Sequence, residues 1–295
     1  MGRSLVALIT PFDLTGQVDL ETLRELVFWH IDEGTDGLVL FGSTGEGIAL
    51  SDEEKIDIIS LCLETAQGKI PIFAASGFAD TRHSVSFTQK MKELGIDGSL
   101  IITPYYNRPT QRGCLAHFQA LAEVGLPLIV YHHPFRTAFR FTLESIIELS
   151  KMPNIIGLKE STHDLSFIQT VHDACNIPIF AGDDDMTLDI LKLGGVGAIS
   201  VIGNLFPREW KEMITLCSYE KWDSAKLIVD LYTPLINALS LEPNPQCVKY
   251  AMHLLGKSTP CLRLPLVTPE KKTQEILEAV LRAHCIPRKS EHAFL

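Results

Sequence analysis

Seven cysteines lie scattered between Cys62 and Cys285, and no two of them form a Cys-x-x-Cys pair. An odd number without close spacing excludes a disulfide framework and a thiolate zinc site, and it fits a reducing compartment such as the cytoplasm. Apolar runs long enough to span a bilayer, about 18 residues, are missing. The N-terminus also has no basic-then-apolar leader, and Asp13 and Asp19 follow quickly, so neither export nor membrane insertion is expected. Positive charge is scarce, with 26 Lys and Arg against 36 Asp and Glu for a net charge of −10. That balance excludes a broad nucleic-acid or anionic-membrane surface and leaves room for a local cationic pocket only. No Gly-x-Gly-x-x-Gly or Gly-x-x-x-x-Gly-Lys follows an apolar run, and Gly194-Gly195-Val196-Gly197 precedes one, which reads as a helix stop rather than a phosphate loop. A His-x-x-x-His pair is lacking as well, so the sequence implies neither a nucleotide cofactor nor a catalytic metal.

What is present is the composition of an ordinary globular protein: 295 residues, 46% hydrophobic and 21% charged. Eight short apolar, β-branched runs are bounded by Gly, Pro or polar residues, namely Leu5–Ile9, Gly37–Leu40, Ile70–Ala75, Gly98–Ile102, Leu126–Tyr131, Ile155–Leu158, Ile177–Ala181 and Gly197–Val201. Near-continuous apolarity marks strands buried on both faces, and each interval leaves room for one helix and two loops. The gaps carry helical stripes, such as Leu20, Leu23, Leu26, Val27 and Ile31, or Ile56, Ile59, Leu63 and Ala66. Ser51 with Glu54 reads as a capping box, and Thr142 with Ser145 as a weaker start signal. Eight βα alternations predict an α/β fold of the eight-stranded β/α (TIM) barrel type, with an open doubly wound sheet as the competitor. After Val201 only helical patterns remain, over Pro207–Cys217, Lys221–Leu239, Gln246–Leu255 and Pro269–Ala283. The expected organisation is a barrel domain over 1–222 and a C-terminal helical domain over 223–295, with a loosely held polar tail from Pro287.

Catalytic groups of a β/α barrel sit at the C-terminal ends of its strands. There the sequence places Ser43 and Thr44 in the turn Gly42–Gly47, Tyr106, Tyr131 with Arg136, Lys159, and Asp183-Asp184-Asp185. Lys159 follows a buried apolar run, where desolvation favours the free amine, and a free amine adds to a ketone to give a Schiff base. The plain alternative is a strand-end lysine that reaches solvent or pairs with Glu160. Tyr131 is a proton relay if its hydroxyl meets Ser43 or Tyr106, and otherwise a packing residue. The Gly42–Gly47 turn offers backbone N–H groups and two hydroxyls as a cradle for a carboxylate, while Arg136 suits a bidentate grip on a second one. The three aspartates read as the cap of the next helix more readily than as a cation site. His132 and His133 point to opposite faces of their strand, and an imidazole at the entrance is a source of pH dependence near neutrality. Ser43 is not set in Gly-x-Ser-x-Gly, which argues against a hydrolase nucleophile.

These residues stand in longer motifs: Gly42-Ser43-Thr44-Gly45-Glu46, Thr103-Pro104-Tyr105-Tyr106-Asn107-Arg108-Pro109, Gly157-Leu158-Lys159-Glu160, Gly182-Asp183-Asp184, Ile199-Ser200-Val201, and Glu242-Pro243-Asn244-Pro245 with Val248-Lys249. From about Leu5 to Leu266 the chain resembles the dihydrodipicolinate (4-hydroxy-tetrahydrodipicolinate) synthase family of pyruvate-dependent class I lyases, to which N-acetylneuraminate lyase is related. The resemblance implies a β/α barrel in which Lys159 forms a Schiff base with pyruvate and the enamine attacks L-aspartate 4-semialdehyde, a step of diaminopimelate and lysine biosynthesis. It implies no cofactor and no metal, a proton relay of Tyr131, Ser43 and Tyr106, and a Tyr106 that reaches a neighbouring subunit of a homotetramer or homodimer. Thr44 and the backbone near Ile199 would hold pyruvate, and Arg136 the carboxylate of the semialdehyde. Small-molecule substrates are the implied partners, with no nucleic acid and no membrane.

The chain departs from the family pattern at several points. Ser43 stands where the synthases commonly carry Thr, and the run His132-His133-Pro134-Phe135-Arg136-Thr137-Ala138 brings bulky or titratable side chains into the second-substrate loop and loses a Gly. The alternative is therefore a lyase acting on a 2-keto-3-deoxy sugar acid or a sialic acid, and Arg136 is the residue that separates the two. Ala79 and His83 stand where lysine-inhibited members carry Asn and Glu, so weak or absent inhibition by L-lysine is expected.

Overall fold

Successive residues of the apolar runs face opposite ways, as the pleat of a strand requires. Leu5, Ala7, Val39, Phe73, Leu100, Ile129, Tyr131, Phe180 and Ile199 form one buried cluster, while Val6, Leu38, Leu40, Val130 and Leu158 belong to a second, larger one that includes the helices. The strands that divide these clusters are β1 (Arg3–Ala7), β2 (Gly37–Leu40), β3 (Ile72–Ala75), β4 (Gly98–Ile102), β5 (Leu128–His132), β6 (Ile155–Glu160), β7 (Ile179–Ala181) and β8 (Gly197–Ser200). They pair in chain order, and β8 returns to pair in parallel with β1, placing Arg3 opposite Gly197 and Val6 opposite Ser200. The smaller cluster fills the interior of this closed barrel, and the larger one packs between barrel and helices. This computed structural model describes residues 2–285, so the expectation for the tail from Pro287 lies outside the described residues.

Three strands start two residues later than their apolar runs suggest, and proline is the reason each time. Pro71, Pro127 and Pro178 precede β3, β5 and β7 by one residue. Each lacks the N–H that a ladder position needs. Their carbonyls still accept, from Leu38, Ser99 and Leu158 at 3.0, 2.8 and 2.8 Å. In the other direction β6 continues through Lys159 and Glu160, so Lys159 is part of the strand rather than the residue after it. Opposite it in the register stands Tyr131 of β5, and opposite Glu160 stands His132.

Outside the barrel lie α1 (Leu20–Asp32), α2 (Asp52–Ala66), α3 (Thr81–Leu94), α4 (Gln111–Ala122), the short α5 (Pro134–Thr137), α6 (Leu143–Ser150), α7 (Leu165–Ala174), α8 (Thr187–Lys192) and α9 (Pro207–Ser218). Six of these starts, those of α1 to α4, α6 and α7, are capped by side chains that accept orphan N–H groups: Asp19, Ser51 with Glu54 as a full capping box, Asp80, Thr110, Thr142 and Asp164. Helix α8 ends just before Gly194 (φ +91°), the expected stop. The chain then adds α10 (Trp222–Leu239), α11 (Gln246–Leu254) and α12 (Lys271–Cys285), each within two residues of its expected limits. The segment between α10 and α11 runs over the C-terminal end of the barrel, where Asn244 touches Thr44. Among the described residues no helix is long and apolar enough to cross a membrane.

Candidate active site

Side chains that leave the strands at their C-terminal ends converge on a cavity of about 560 Å³. Ser43, Thr44, Tyr131, Arg136, Lys159 and Asp183 line it, together with Glu242, Pro243 and Asn244 from the C-terminal segment. Lys159 enters because its neighbour Leu158 is committed to the helix-facing core, which turns Lys159 inward. Its side chain is buried, and Nζ lies 4.3 Å from the centre of the Tyr131 ring. Burial pushes the amine down to about 8, against the opposing pull of Asp183 and Asp184 and with help from Arg136. No carboxylate forms an ion pair with Lys159 among the described residues. Glu160 points to the opposite face and accepts from His132 Nδ1 at 2.9 Å, while the N–H of Phe141 donates to His132 Nε2 at 3.1 Å. The alternative of a Lys159–Glu160 pair is thereby overturned, because adjacent strand residues face opposite ways.

Tyr131 is buried beside the amine, and that burial, reinforced by Asp183, raises its phenol above the ordinary range. It stays protonated, with a proton to donate. The Gly42–Gly47 turn is held by its own bonds: the N–H groups of Gly45, Glu46 and Gly47 donate to Gly42, Ser43 and Gly42 at 3.0, 3.3 and 3.4 Å. The expected cradle is therefore narrower than the whole turn. It consists of the N–H groups of Ser43 and Thr44, which have no partner among the described residues, and their two hydroxyls. Asn244 Nδ2 donates to Thr44 Oγ1 at 2.9 Å, leaving the Thr44 proton free to point at a ligand.

Arg136 sits on α5 and lines the mouth without an ion pair among the described residues. Ile199 is fully buried in the barrel interior and does not line the cavity, whereas Val201 does. Tyr106 is 91% exposed at φ +66° and lies outside the cavity, so one chain does not bring it to Tyr131 or Ser43. No hydrogen bond links the three hydroxyls among the described residues.

The aspartates do not cap a helix through their side chains. Asp184 instead crosses to the start of the next loop, accepting from the N–H groups of Val201 and Ile202 at 3.0 and 2.7 Å, and burial raises its carboxyl to about 6. Asp183 faces His163 Nε2 at 3.2 Å. Although its burial opposes ionisation, His163 and the Lys159 charge hold its carboxyl below the usual range. No group of three or more His, Cys, Asp or Glu among the described residues is arranged to hold a metal. His133 lines the cavity, and burial pushes it down to about 4, so it stays neutral. Of the imidazoles that line the cavity, His163 is the one whose pKa is raised, by its bond to Asp183. His163 carried no sequence signal beyond its place in the loop after β6. Asn244 stood inside a motif, but its contact with a residue 200 positions away did not.

The sequence profile of the dihydrodipicolinate synthetase family matches residues 1–284. A curated relative from Jannaschia sp. (strain CCS1), named 4-hydroxy-tetrahydrodipicolinate synthase, is 39% identical over 95% of this chain and 97% of its own. The solved dihydrodipicolinate synthase of Aquifex aeolicus superposes with a TM-score of 0.94 at 36% identity, covering 98% of this chain and 100% of that one. The chloride-inhibited dihydrodipicolinate synthase of Acinetobacter baumannii, solved in complex with pyruvate, gives 0.93 at 37% identity over 95% and 98% of the two chains. On a match that runs the length of barrel and helical extension alike, this chain is a member of the dihydrodipicolinate synthetase family.

Proposed function

We propose that the protein condenses pyruvate with L-aspartate 4-semialdehyde, the 4-hydroxy-tetrahydrodipicolinate synthase reaction, through a Schiff base on Lys159. The observation that carries this reading is a buried amine without an ion-pair partner among the described residues, pushed down to about 8 and held 4.3 Å from the ring of a protonated Tyr131. The free amine adds to the ketone carbon of pyruvate, and loss of water gives the imine. Removal of a methyl proton gives the enamine, whose carbon attacks the aldehyde. The amino group of the second substrate then displaces Lys159 from the imine carbon, closing the ring and restoring the lysine.

In this reading Thr44, Ser43 and their N–H groups hold the pyruvate carboxylate, with the backbone beyond Ile199 on its other side. Tyr131 and Ser43 move protons to and from the carbinolamine oxygen, and Arg136 grips the carboxylate of the aldehyde. Tyr106 completes the relay in a neighbouring subunit of a homodimer or homotetramer, which accords with a phenol that is 91% exposed in one chain. Six free thiols among the described residues support a cytoplasmic enzyme. A 2-keto-3-deoxy sugar acid or sialic acid lyase would share the Lys159 step. Arg136, lining the mouth without an ion pair among the described residues, favours a substrate with a second carboxylate.

Borohydride reduction in the presence of pyruvate, followed by peptide mass spectrometry, tests the central step. The expected result is one adduct of the mass of reduced pyruvate on Lys159, absent from Lys159→Ala. A folded protein that gives no adduct overturns the reading.

A further inference from the structure

The turn that carries Ser43 and Thr44 is tied from behind by a charge it does not own. Glu46, two residues after Thr44, adopts φ +49°, a left-handed conformation that a side chain with a Cβ rarely takes without support. Its carboxylate is buried, and Lys249 of α11, also fully buried, donates to Glu46 Oε1 at 2.6 Å. The second oxygen accepts the N–H of Arg263 at 3.0 Å. The Arg263 guanidinium in turn binds Glu54 through two contacts of 2.7 and 2.5 Å and reaches the carbonyls of Gly16 and Ala49 at 3.0 and 2.9 Å. Phe12 lies under both cations, 4.1 Å from Lys249 and 4.5 Å from Arg263. From the other side Thr10 Oγ1 donates to the carbonyl of Gly45 at 2.7 Å.

A fully desolvated pair of this kind does little for net stability, because desolvation of both charges offsets most of their attraction. What it does well is fix geometry. Removing either partner leaves a buried charge without its counterion, and Glu46 belongs to the same turn as the Ser43 and Thr44 N–H groups, so a shift of its backbone moves them. We infer that Lys249 is a positioning residue for 2-oxo acid binding: through Glu46 it holds the Ser43–Thr44 cradle in register with the Lys159 amine, so that the C-terminal helical region sets affinity for the first substrate. This inference rests on the proposed Schiff-base reading.

The test measures the pyruvate concentration that half-saturates borohydride trapping of Lys159 in wild type, Lys249→Met and Glu46→Gln, with Met213→Ala as a control that destabilises α9 away from the cavity. The expected half-saturating concentration rises about tenfold for Lys249→Met and about threefold for Glu46→Gln, with trapping at saturation within about twofold of wild type. Met213→Ala, compared well below its Tm, leaves the value unchanged. Should Lys249→Met not fold, Glu46→Gln, which keeps the side-chain shape, carries the test on the same terms. Folded variants that half-saturate with wild type overturn the inference, as does an equal rise in the Met213→Ala control. A wild type that is never trapped instead overturns the Schiff-base reading itself, which keeps the two failures apart.

Discussion

Lys159 faces two opposing influences, and their balance sets a pH dependence. Burial disfavours its ammonium, whereas Asp183 and Asp184 favour it, and the outcome is about 8. Below that value the ammonium form grows and cannot add to a carbonyl, so the rate of pyruvate trapping should fall about tenfold for each pH unit under 8. Asp183 is the larger of the two supports. Its replacement in Asp183→Asn removes a negative charge from beside the amine, so the ammonium becomes easier to discharge and the acid limb of the trapping profile moves to lower pH, by about one pH unit. An unmoved or upward-shifted limb would show that Asp183 does not act on the amine. The same strand also shows what a sequence tells at this scale. Lys159 was legible because it follows an uninterrupted apolar run, and its neighbour's partner was not, because the facing of Glu160 toward His132 depends on where β6 ends.

At the scale of elements, strands and caps were legible and the contacts between distant loops were not. Parallel strands buried on both faces announce themselves as apolar runs, and a proline in second place moves a strand start by a fixed amount that sequence reading should include. The aspartates after β7 misled for a related reason. A carboxylate just before a helix usually serves that helix, but here Asp184 serves the loop after the paired strand β8, a contact between successive βα units rather than within one. The Gly42–Gly47 turn offers a direct test of local geometry, since a Cβ at Gly47 would stand 2.0 Å from the carbonyl oxygen of Phe41. Backbone must move to admit it. Gly47→Ala should cost about 2–4 kcal/mol of stability and abolish pyruvate trapping at concentrations that saturate wild type, as seen by chemical denaturation and mass spectrometry. A variant that traps normally would detach the turn from substrate binding. Where α2 and α3 begin, His83 stacks on Phe78 with ring centres 3.9 Å apart and approaches Asp52 at 3.2 Å. A stacked imidazole offers no carboxylate to an effector's ammonium group, so a steady-state assay should show little inhibition by L-lysine; strong inhibition at sub-millimolar effector would contradict this.

For the whole molecule, the proposed relay of Tyr131, Ser43 and Tyr106 is short of its third hydroxyl in one chain. Tyr131 and Ser43 line the cavity and Tyr106 does not, which is the pattern expected if assembly delivers the third group. Lys159→Ala and Tyr106→Phe should each be nearly inactive alone. Co-refolded as an equimolar mixture, they should recover about a quarter of wild-type activity, because half of randomly paired dimers are hybrids and each hybrid holds one intact site. No recovery in a mixture shown to exchange subunits would place Tyr106 outside its neighbour's chemistry.

The contacts that finish the cavity also have an order in time. Thr44 and Asn244 are 200 residues apart, Glu46 and Lys249 are 203 apart, and the Arg263 side chain grips a carbonyl 247 positions back. A chain growing on the ribosome makes the Ser43–Thr44 turn early and the groups that hold it late. Until α11 has been synthesised, the turn waits without its latch and Glu46 without its countercharge. Because Asn244, Lys249 and Arg263 all come from the last fifth of the chain, a truncated product that still closed its eight strands would lack them and leave that turn unlatched.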